Sequence, residues 1–182
     1  MNIFLVGAGA LGCEFLKGLA LMGVSTDGLA VVTDDDNIAI SNLNRQFLFR
    51  NTDVDHNKSE RAAAAVQAFN DEFNIEAKKN RVDWENEPIF NDAFWNSQNC
   101  IINAVDNVKA RLHIDNRCVW YGKPLLESGT LGTKCNSQTI LPHLTQSYGD
   151  SQDPPEESIP MCTLKNFPHA IEHCIEWSRD AF

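Results

Sequence analysis

The feature that most restricts the fold is a glycine-rich segment between a short apolar run and an amphipathic stretch. Residues 2–6 are mostly apolar and predict a buried strand, and Gly-Ala-Gly-Ala-Leu-Gly follows at residues 7–12. Apolar residues then recur every three or four positions from Leu11 to Met22, which predicts a helix. In this context Gly-x-Gly-x-x-Gly indicates a nucleotide site, because small residues let phosphate oxygens approach backbone N–H groups. The alternative is a tight turn that only packs on the sheet.

Apolar runs and helical stretches alternate along most of the chain. Further strands are predicted at residues 29–33, 73–78, 100–105, 125–127 and 134–141, and helices at 58–70 and 108–121. Residues 80–98 are predicted as a loop-rich connection and residues 128–132 as a turn. This alternation predicts an α/β fold, with a Rossmann-like, mostly parallel sheet that carries helices on both faces.

Composition divides the chain into three parts. Residues 1–146 form the predicted nucleotide-binding domain, and residues 147–160, which are polar and acidic and hold three prolines, form a linker. Residues 161–182 begin a second domain, in which Asn166 and Pro168 predict the start of a final helix.

Charge and residue usage exclude several classes of function. The chain of 182 residues has 15 Lys and Arg against 25 Asp and Glu, a formal net charge of −10, which repels nucleic-acid phosphates. We expect neither a signal peptide nor a membrane helix, because the start lacks a basic segment and no apolar run approaches about 18 residues. Six cysteines without a Cys-x-x-Cys pair indicate a reduced, cytosol-like setting.

Acidic residues follow the second predicted strand directly. Asp34 lies at its end, where a carboxylate can accept hydrogen bonds from ribose hydroxyls, and we prefer it to Asp36. This residue does not separate an NAD-dependent oxidoreductase from an ATP-dependent adenylating enzyme. Arg45 and Lys58 favour the second class, because a triphosphate attacked at its α-phosphorus needs more cationic neutralisation than a dinucleotide does. Either cation taken alone is more typical of an ordinary surface charge.

Asp106 ends another apolar strand, with Asn107 beside it and a helix beginning at once. A carboxylate at the end of a strand is a natural magnesium ligand together with substrate phosphates. The competing interpretation is that Asp106 caps the following helix. The glycine segment at residues 7–12 favours metal binding.

Cys162 follows the proline-rich linker and lies near Lys165. Most cysteines are buried and inert, and the other five are interpreted as packing residues. Cys162 differs because a thiol at the end of an extended segment is accessible, and a nearby cation favours the thiolate.

Several longer motifs resemble those of ubiquitin-activating enzymes. They are Gly-Ala-Gly-Ala-Leu-Gly (7–12), Ser-Asn-Leu-Asn-Arg-Gln-Phe-Leu-Phe-Arg (41–50), Ala-Val-Asp-Asn-Val (104–108), Pro-Leu-Leu-Glu-Ser-Gly-Thr-Leu-Gly-Thr-Lys (124–134), Ser-Gln-Asp-Pro-Pro-Glu (151–156) and Pro-Met-Cys-Thr-Leu-Lys-Asn-Phe-Pro (160–168). The resemblance implies adenylation of the C-terminal carboxylate of ubiquitin by Mg-ATP, then a cysteine thioester and transfer to conjugating enzymes. It also implies a cytoplasmic and nuclear location.

The resemblance assigns roles to residues at matching positions. The implied nucleotide-binding residues are Gly7, Ala8, Gly9 and Gly12 in the loop, Asp34 at the ribose, Asn42, Arg45 and Lys58 at the phosphates, and Asp106 with Asn107, where Asp106 binds magnesium. Cys162 and Arg45 are the implied catalytic residues. Cys135 departs from the family pattern, which has glycine there. Family members also have further domains, so we expect a fragment that has little activity alone and whose partners include those missing domains. A non-catalytic binding platform is the remaining alternative.

Overall fold

A computed structural model describes residues 1–131 and 134–151, together with residues 171, 174, 175, 177 and 178. The chain forms two compact units, Met1–Ser151 and Gln152–Phe182. In the second unit the five described residues are helical, and the Ser178 hydroxyl donates a hydrogen bond of 2.8 Å to the Cys174 carbonyl. None of the helices in the described part of the chain is both long and apolar enough to span a bilayer.

The first unit is built on one six-stranded sheet with the order β3-β2-β1-β4-β5-β6. The strands are β1 (Ile3–Val6), β2 (Ala30–Thr33), β3 (Ile75–Lys78), β4 (Cys100–Asn103), β5 (Leu125–Leu131) and β6 (Lys134–Ile140). The helices are α1 (Ala10–Leu21), α2 (Lys58–Gln67), α3 (Asp92–Ser97) and α4 (Val108–Tyr121). All pairings are parallel except that of β5 with β6. The predicted Rossmann-like α/β fold is confirmed.

Each face of the sheet has its own apolar core. On β1, Ile3 and Leu5 belong to one cluster with α1 and α2, and Phe4 and Val6 belong to another with α3 and α4. This division follows from the alternation of side chains along a strand. The first cluster is mainly aliphatic, whereas the second contains an aromatic group around Phe4 that includes the buried Trp95. Helices therefore cover both faces, as predicted.

Two expectations about local structure were wrong. Residues 80–98 hold α3, in which the Asn91 side chain accepts a hydrogen bond from the Phe94 N–H and Trp95 is buried against the sheet. Strand β5 continues to Leu131, through most of the predicted turn at 128–132, because it pairs with β6 along its whole length.

The first unit also includes residues 147–151, which were predicted to belong to the linker. Tyr148–Asp150 form a 3-10 turn whose backbone is held by α4. Asp115, which is buried, accepts hydrogen bonds of 3.0 Å from the N–H groups of Tyr148 and Gly149. This contact joins the last turn of the first unit to its core.

We expect Asp115→Ala to lower the free energy of unfolding by about 2 kcal/mol, because two backbone N–H groups lose their acceptor. Urea denaturation of the chain measures this. Asn116→Ala, an exposed neighbour on the same helix, serves as the control and should change stability by less than about 0.5 kcal/mol. Equal effects of the two substitutions would contradict the role assigned to Asp115.

Candidate nucleotide site

The glycine segment forms a tight turn that packs against the end of β4. Gly7 has φ of +99°, and its N–H donates a hydrogen bond of 2.9 Å to the Thr33 carbonyl. A Cβ on Gly7 would lie 2.6 Å from the carbonyl oxygen of Ala104, and a Cβ on Gly12 would overlap the carbonyl of Gly7. Glycine is therefore required at both positions, since any side chain would push β1, α1 and β4 apart.

The N-terminus of α1 begins inside this turn and is open to a ligand. Gly9 is the N-cap residue, and within the described residues α1 has neither a side-chain cap nor an acidic residue in its first turn. A methyl group placed on Gly9 would meet no described heavy atom within 4 Å. The free N–H groups and the helix dipole of this 12-residue helix suit a phosphate group.

Asp34 is tied directly to the glycine turn. Its Oδ2 accepts a hydrogen bond of 2.7 Å from the Ala8 N–H, and its Oδ1 accepts one of 2.9 Å from the Asp36 N–H. Burial raises the pKa of Asp34 above its ordinary value, although these two hydrogen bonds act in the opposite direction. Each carboxylate oxygen keeps a second lone pair, so Asp34 can also accept a ligand hydroxyl.

Lys58 lies beside this carboxylate. Its Nζ is 2.7 Å from Asp36 Oδ2, and its side chain is largely buried. Asp35, the residue between the two other aspartates, pairs with Arg81 at 2.8 Å. Asp34, Asp35 and Asp36 bring carboxylate oxygens within 4.8 Å of one another, but two of the three are neutralised by cations of the chain itself. Lys58 is thus linked to Asp34 indirectly, because it pairs with Asp36, whose N–H donates a hydrogen bond to Asp34.

Arg45 and Asn42 lie in the segment after β2, where their contacts are local. The Arg45 guanidinium is exposed and donates to the Ser41 carbonyl at 3.0 Å and to Asn44 Oδ1 at 3.1 Å. Asn42 Oδ1 accepts a hydrogen bond of 2.9 Å from the Ala39 N–H. The described contacts do not bring either side chain to Asp34 or Asp106. Their predicted phosphate contacts stay predictions.

Asp106 and Asn107 follow β4 at the same edge of the sheet. Asn107, not Asp106, is the N-cap residue of α4, and its Oδ1 accepts a hydrogen bond of 2.8 Å from the Ala110 N–H. The alternative that Asp106 caps this helix is therefore wrong. Asp106 is exposed, and in the described part of the chain its carboxylate has no hydrogen-bond or ion-pair partner. An unpaired carboxylate is available to a cation.

A polar cluster that was not predicted from the sequence lies behind Asp106 and is formed by Asn103, Glu127 and Arg111. Glu127 Oε2 accepts a hydrogen bond of 2.5 Å from Asn103 Nδ2, and Glu127 Oε1 pairs with Arg111 at 2.8 Å. The pKa of Glu127 is raised above its ordinary value, because the effect of burial exceeds the opposite effect of the contacts with Asn103 and Arg111. The sequence did show a polar residue in each of two apolar runs, Asn103 inside residues 100–105 and Glu127 at the end of residues 125–127.

The cysteines differ in accessibility. Cys13 and Cys118 are buried, and burial raises the pKa of the Cys13 thiol to about 11, so packing is confirmed for both. Cys135 and Cys174 are exposed, which contradicts that interpretation for them. Cys162, the predicted thioester residue, lies outside the described residues.

The fold and this edge of the sheet define the class of protein. The strand order and the open helix N-terminus after β1 are those of a Rossmann-like α/β domain, a class in which ligands bind beyond the carboxyl ends of the strands. The chain belongs to the ThiF family, whose model matches residues 1–175.

Curated relatives confirm the resemblance drawn from the motifs. The chain is 58% identical to ubiquitin-activating enzyme E1 1 of Arabidopsis thaliana, over 100% of the chain and 17% of that protein. It is 57% identical to ubiquitin-like modifier-activating enzyme 1 of Dictyostelium discoideum, over 100% of the chain and 18% of the relative. The match in Oryctolagus cuniculus, of the same name, is 56% identical over 98% of the chain and 17% of the relative. The chain thus spans about a sixth of the length of these relatives.

The different surroundings of Gly9 and Gly12 allow a stability prediction. Gly12→Ala should lower the free energy of unfolding by about 2 kcal/mol or more, because the added methyl group overlaps the Gly7 carbonyl in a packed turn. Gly9→Ala should cost less than about 1 kcal/mol, because its methyl group enters open space. Urea denaturation of both variants measures the difference, and equal losses would show that the turn is not closely packed.

Proposed function

We propose that this chain is the nucleotide-binding segment of a ubiquitin-activating enzyme and that its substrates are ATP and the C-terminal carboxylate of ubiquitin. The observation that carries this proposal is the edge where the open N-terminus of α1, the half-buried Asp34 and the unpaired Asp106 follow neighbouring parallel strands. The names of the relatives support ATP over NAD, because all three are activating enzymes.

In the first reaction a carboxylate oxygen of ubiquitin attacks the α-phosphorus of ATP, and pyrophosphate leaves. The turn at Gly7, Ala8, Gly9 and Gly12 gives the phosphates close access to backbone N–H groups. Asp34 accepts hydrogen bonds from the ribose hydroxyls. These contacts hold the nucleotide at the edge of the sheet while the phosphate chain extends toward the cations.

The cationic residues neutralise the phosphates. Lys58 is held beside Asp34 by its pair with Asp36, and its ammonium has three N–H donors, so it can contact a phosphate of the nucleotide while it keeps Asp36 as a partner. Arg45 is exposed and has no carboxylate partner in the described chain, so its guanidinium can exchange its local hydrogen bonds to Ser41 and Asn44 for the phosphates and stabilise the charge that develops at phosphorus. Asn42 and Asn107 contribute further contacts from the adjacent loops.

Asp106 fits the magnesium ion that accompanies ATP. An exposed carboxylate without a partner is the oxygen donor that Mg²⁺ prefers, and one such ligand with substrate phosphates is a usual set. When bound, the ion supplies further neutralisation of phosphate charge. The paired Asp35 and Asp36 are less suited to this role, because they already neutralise Arg81 and Lys58.

In the second reaction the Cys162 thiolate attacks the acyl carbon of the ubiquitin adenylate, and AMP leaves. The thioester then passes to a ubiquitin-conjugating enzyme in the cytoplasm and nucleus. The remaining domains of the parent enzyme complete the site, so the 182-residue chain alone binds ATP weakly and forms little thioester. The role of Cys162 rests on the family motif around it.

Asp106→Ala in the complete parent enzyme should lower ATP–pyrophosphate exchange by more than about a hundredfold, because metal assistance is worth several kcal/mol. Exchange supported by ubiquitin is measured at saturating ATP and Mg²⁺. Asp27→Ala is the matched control, since Asp27 is also exposed but lies at the opposite edge of the sheet, before β2. Unchanged exchange in Asp106→Ala would remove the metal role.

Cys162→Ala in the same enzyme should abolish the ubiquitin thioester and leave ATP–pyrophosphate exchange within about twofold, since adenylation precedes thiol attack. A non-reducing gel detects the thioester. Cys135→Ala removes an exposed thiol elsewhere in the first unit and should affect neither assay. Persistence of the thioester in Cys162→Ala would show that another residue carries the acyl group, and loss of thioester with Cys135→Ala would identify that residue.

A further inference from the structure

The buried cluster of Asn103, Glu127 and Arg111 connects three elements immediately behind Asp106. Asn103 ends β4, Glu127 lies in β5, and Arg111 lies one turn into α4. The Arg111 guanidinium donates through Nη1 to Glu127 at 2.8 Å and through Nη2 to the Val105 carbonyl at 2.9 Å. It therefore reaches the peptide group that joins Val105 to Asp106.

The cluster is costly as a stabilising device alone. The Arg111 side chain is 12% exposed and the Glu127 side chain 2% exposed. Burying such a pair costs desolvation energy that its attraction only partly offsets, and apolar replacements are often as stable. Asn103 Oδ1 is also buried without a partner among the described residues. Stability alone therefore does not explain why a buried ion pair and an unpaired amide oxygen lie directly behind Asp106.

The backbone around Asp106 is held from two sides. On one side the Ala104 carbonyl packs against Gly7, where a Cβ would lie only 2.6 Å away. On the other side the Val105 carbonyl accepts the hydrogen bond from Arg111. The Asp106 side chain itself has no partner in the described chain, so the position of its carboxylate depends on this backbone.

We propose that Arg111, oriented by Glu127, is a positioning residue that fixes the Val105–Asp106 peptide and thereby presents the Asp106 carboxylate to the divalent metal of the bound nucleotide. The inference rests on the proposed function, since it requires that Asp106 bind this metal. Residues that orient a metal ligand typically change metal affinity by about 10- to 100-fold when they are replaced. Arg111 acts on Asp106 through the backbone rather than through the ligand side chain.

Two substitutions separate positioning from folding. Arg111→Lys keeps the charge beside Glu127, but a lysine ammonium lacks the planar fork that contacts both Glu127 and the Val105 carbonyl. The double variant Arg111→Met with Glu127→Gln removes both charges, so no unpaired ion is buried, and the glutamine amide oxygen can still accept from Asn103. The double variant therefore loses the Val105 contact with little cost in stability.

The experiment measures Mn²⁺ binding to the complete parent enzyme by the loss of the free Mn²⁺ signal in electron paramagnetic resonance. The enzyme is kept in excess over ATP, so that the nucleotide is enzyme-bound and free ATP does not itself bind the Mn²⁺. ATP binding without metal is measured separately in EDTA. We expect both variants to raise the Kd for Mn²⁺ by about tenfold or more and to leave the metal-free Kd for ATP within about twofold. A general loosening of the site would instead weaken the binding of Mn²⁺ and the metal-free binding of ATP to a similar extent.

Arg117→Met is the matched control. Arg117 lies six residues further along α4, about 9 Å along the helix axis, where it pairs with Glu87 and stacks on Trp84. Its loss removes an ion pair from the same helix without touching Val105, so the Kd for Mn²⁺ should not change. Asp106→Asn is the positive control and should show the largest loss of Mn²⁺ affinity.

Each result bears on the inference. Unchanged Mn²⁺ affinity in both Arg111 variants, with a loss in Asp106→Asn, overturns the positioning role and leaves the proposed function standing. Equal losses of Mn²⁺ and metal-free ATP affinity also overturn it, because they indicate a structural role. Unchanged Mn²⁺ affinity in Asp106→Asn overturns the metal role of Asp106 and the inference with it.

Discussion

The close approach of the glycine turn to the end of β4 is the contact on which the rest of the site depends. Because Gly7 has no Cβ, its backbone meets the Ala104 carbonyl, and because Gly12 has none, α1 starts directly above that backbone. The carboxyl ends of β1 and β4 and the start of α1 are thereby brought to one point. Asp34, bonded to Ala8, adds the end of β2 to the same point. The position of the candidate site is therefore set mainly by backbone packing, and the charged side chains depend on that packing for their placement.

The carboxylates around this point have different electrostatic environments. Asp36 and Asp35 are neutralised by Lys58 and Arg81, whereas Asp34 is half-buried and receives two backbone hydrogen bonds. Asp106 has neither kind of partner in the described chain. One edge of a strongly acidic chain therefore offers a hydroxyl acceptor, a placed cation and an unpaired anion, which is a suitable division of roles for binding a nucleotide together with a metal ion.

Local patterns predicted most of the fold, because buried parallel strands and amphipathic helices have distinct periodicities. They failed at residues 80–98, where α3 has only six residues and depends on packing rather than on its own propensity. At the site, Gly7 and Asp34 were predictable because strand ends converge in this topology. Arg111 and Glu127 were not, because they are 16 residues apart, on α4 and β5, and come into contact only in the folded sheet, where β5 pairs with β4. Sequence spacing carries no information about such a contact.

The unequal cores of the two faces have an optical consequence. Trp95 is buried beside Phe4 and stacks on Tyr121 with ring centroids 5.7 Å apart, whereas the core shared by α1 and α2 holds no tryptophan among its described residues. Intrinsic fluorescence of the first unit therefore reports on one side of the sheet, and a partial opening of α1 and α2 would be nearly silent to it. Phe47 is half-buried and packs against the core formed with α1 and α2. A tryptophan substituted for Phe47 would therefore provide a fluorescence signal from that face of the sheet.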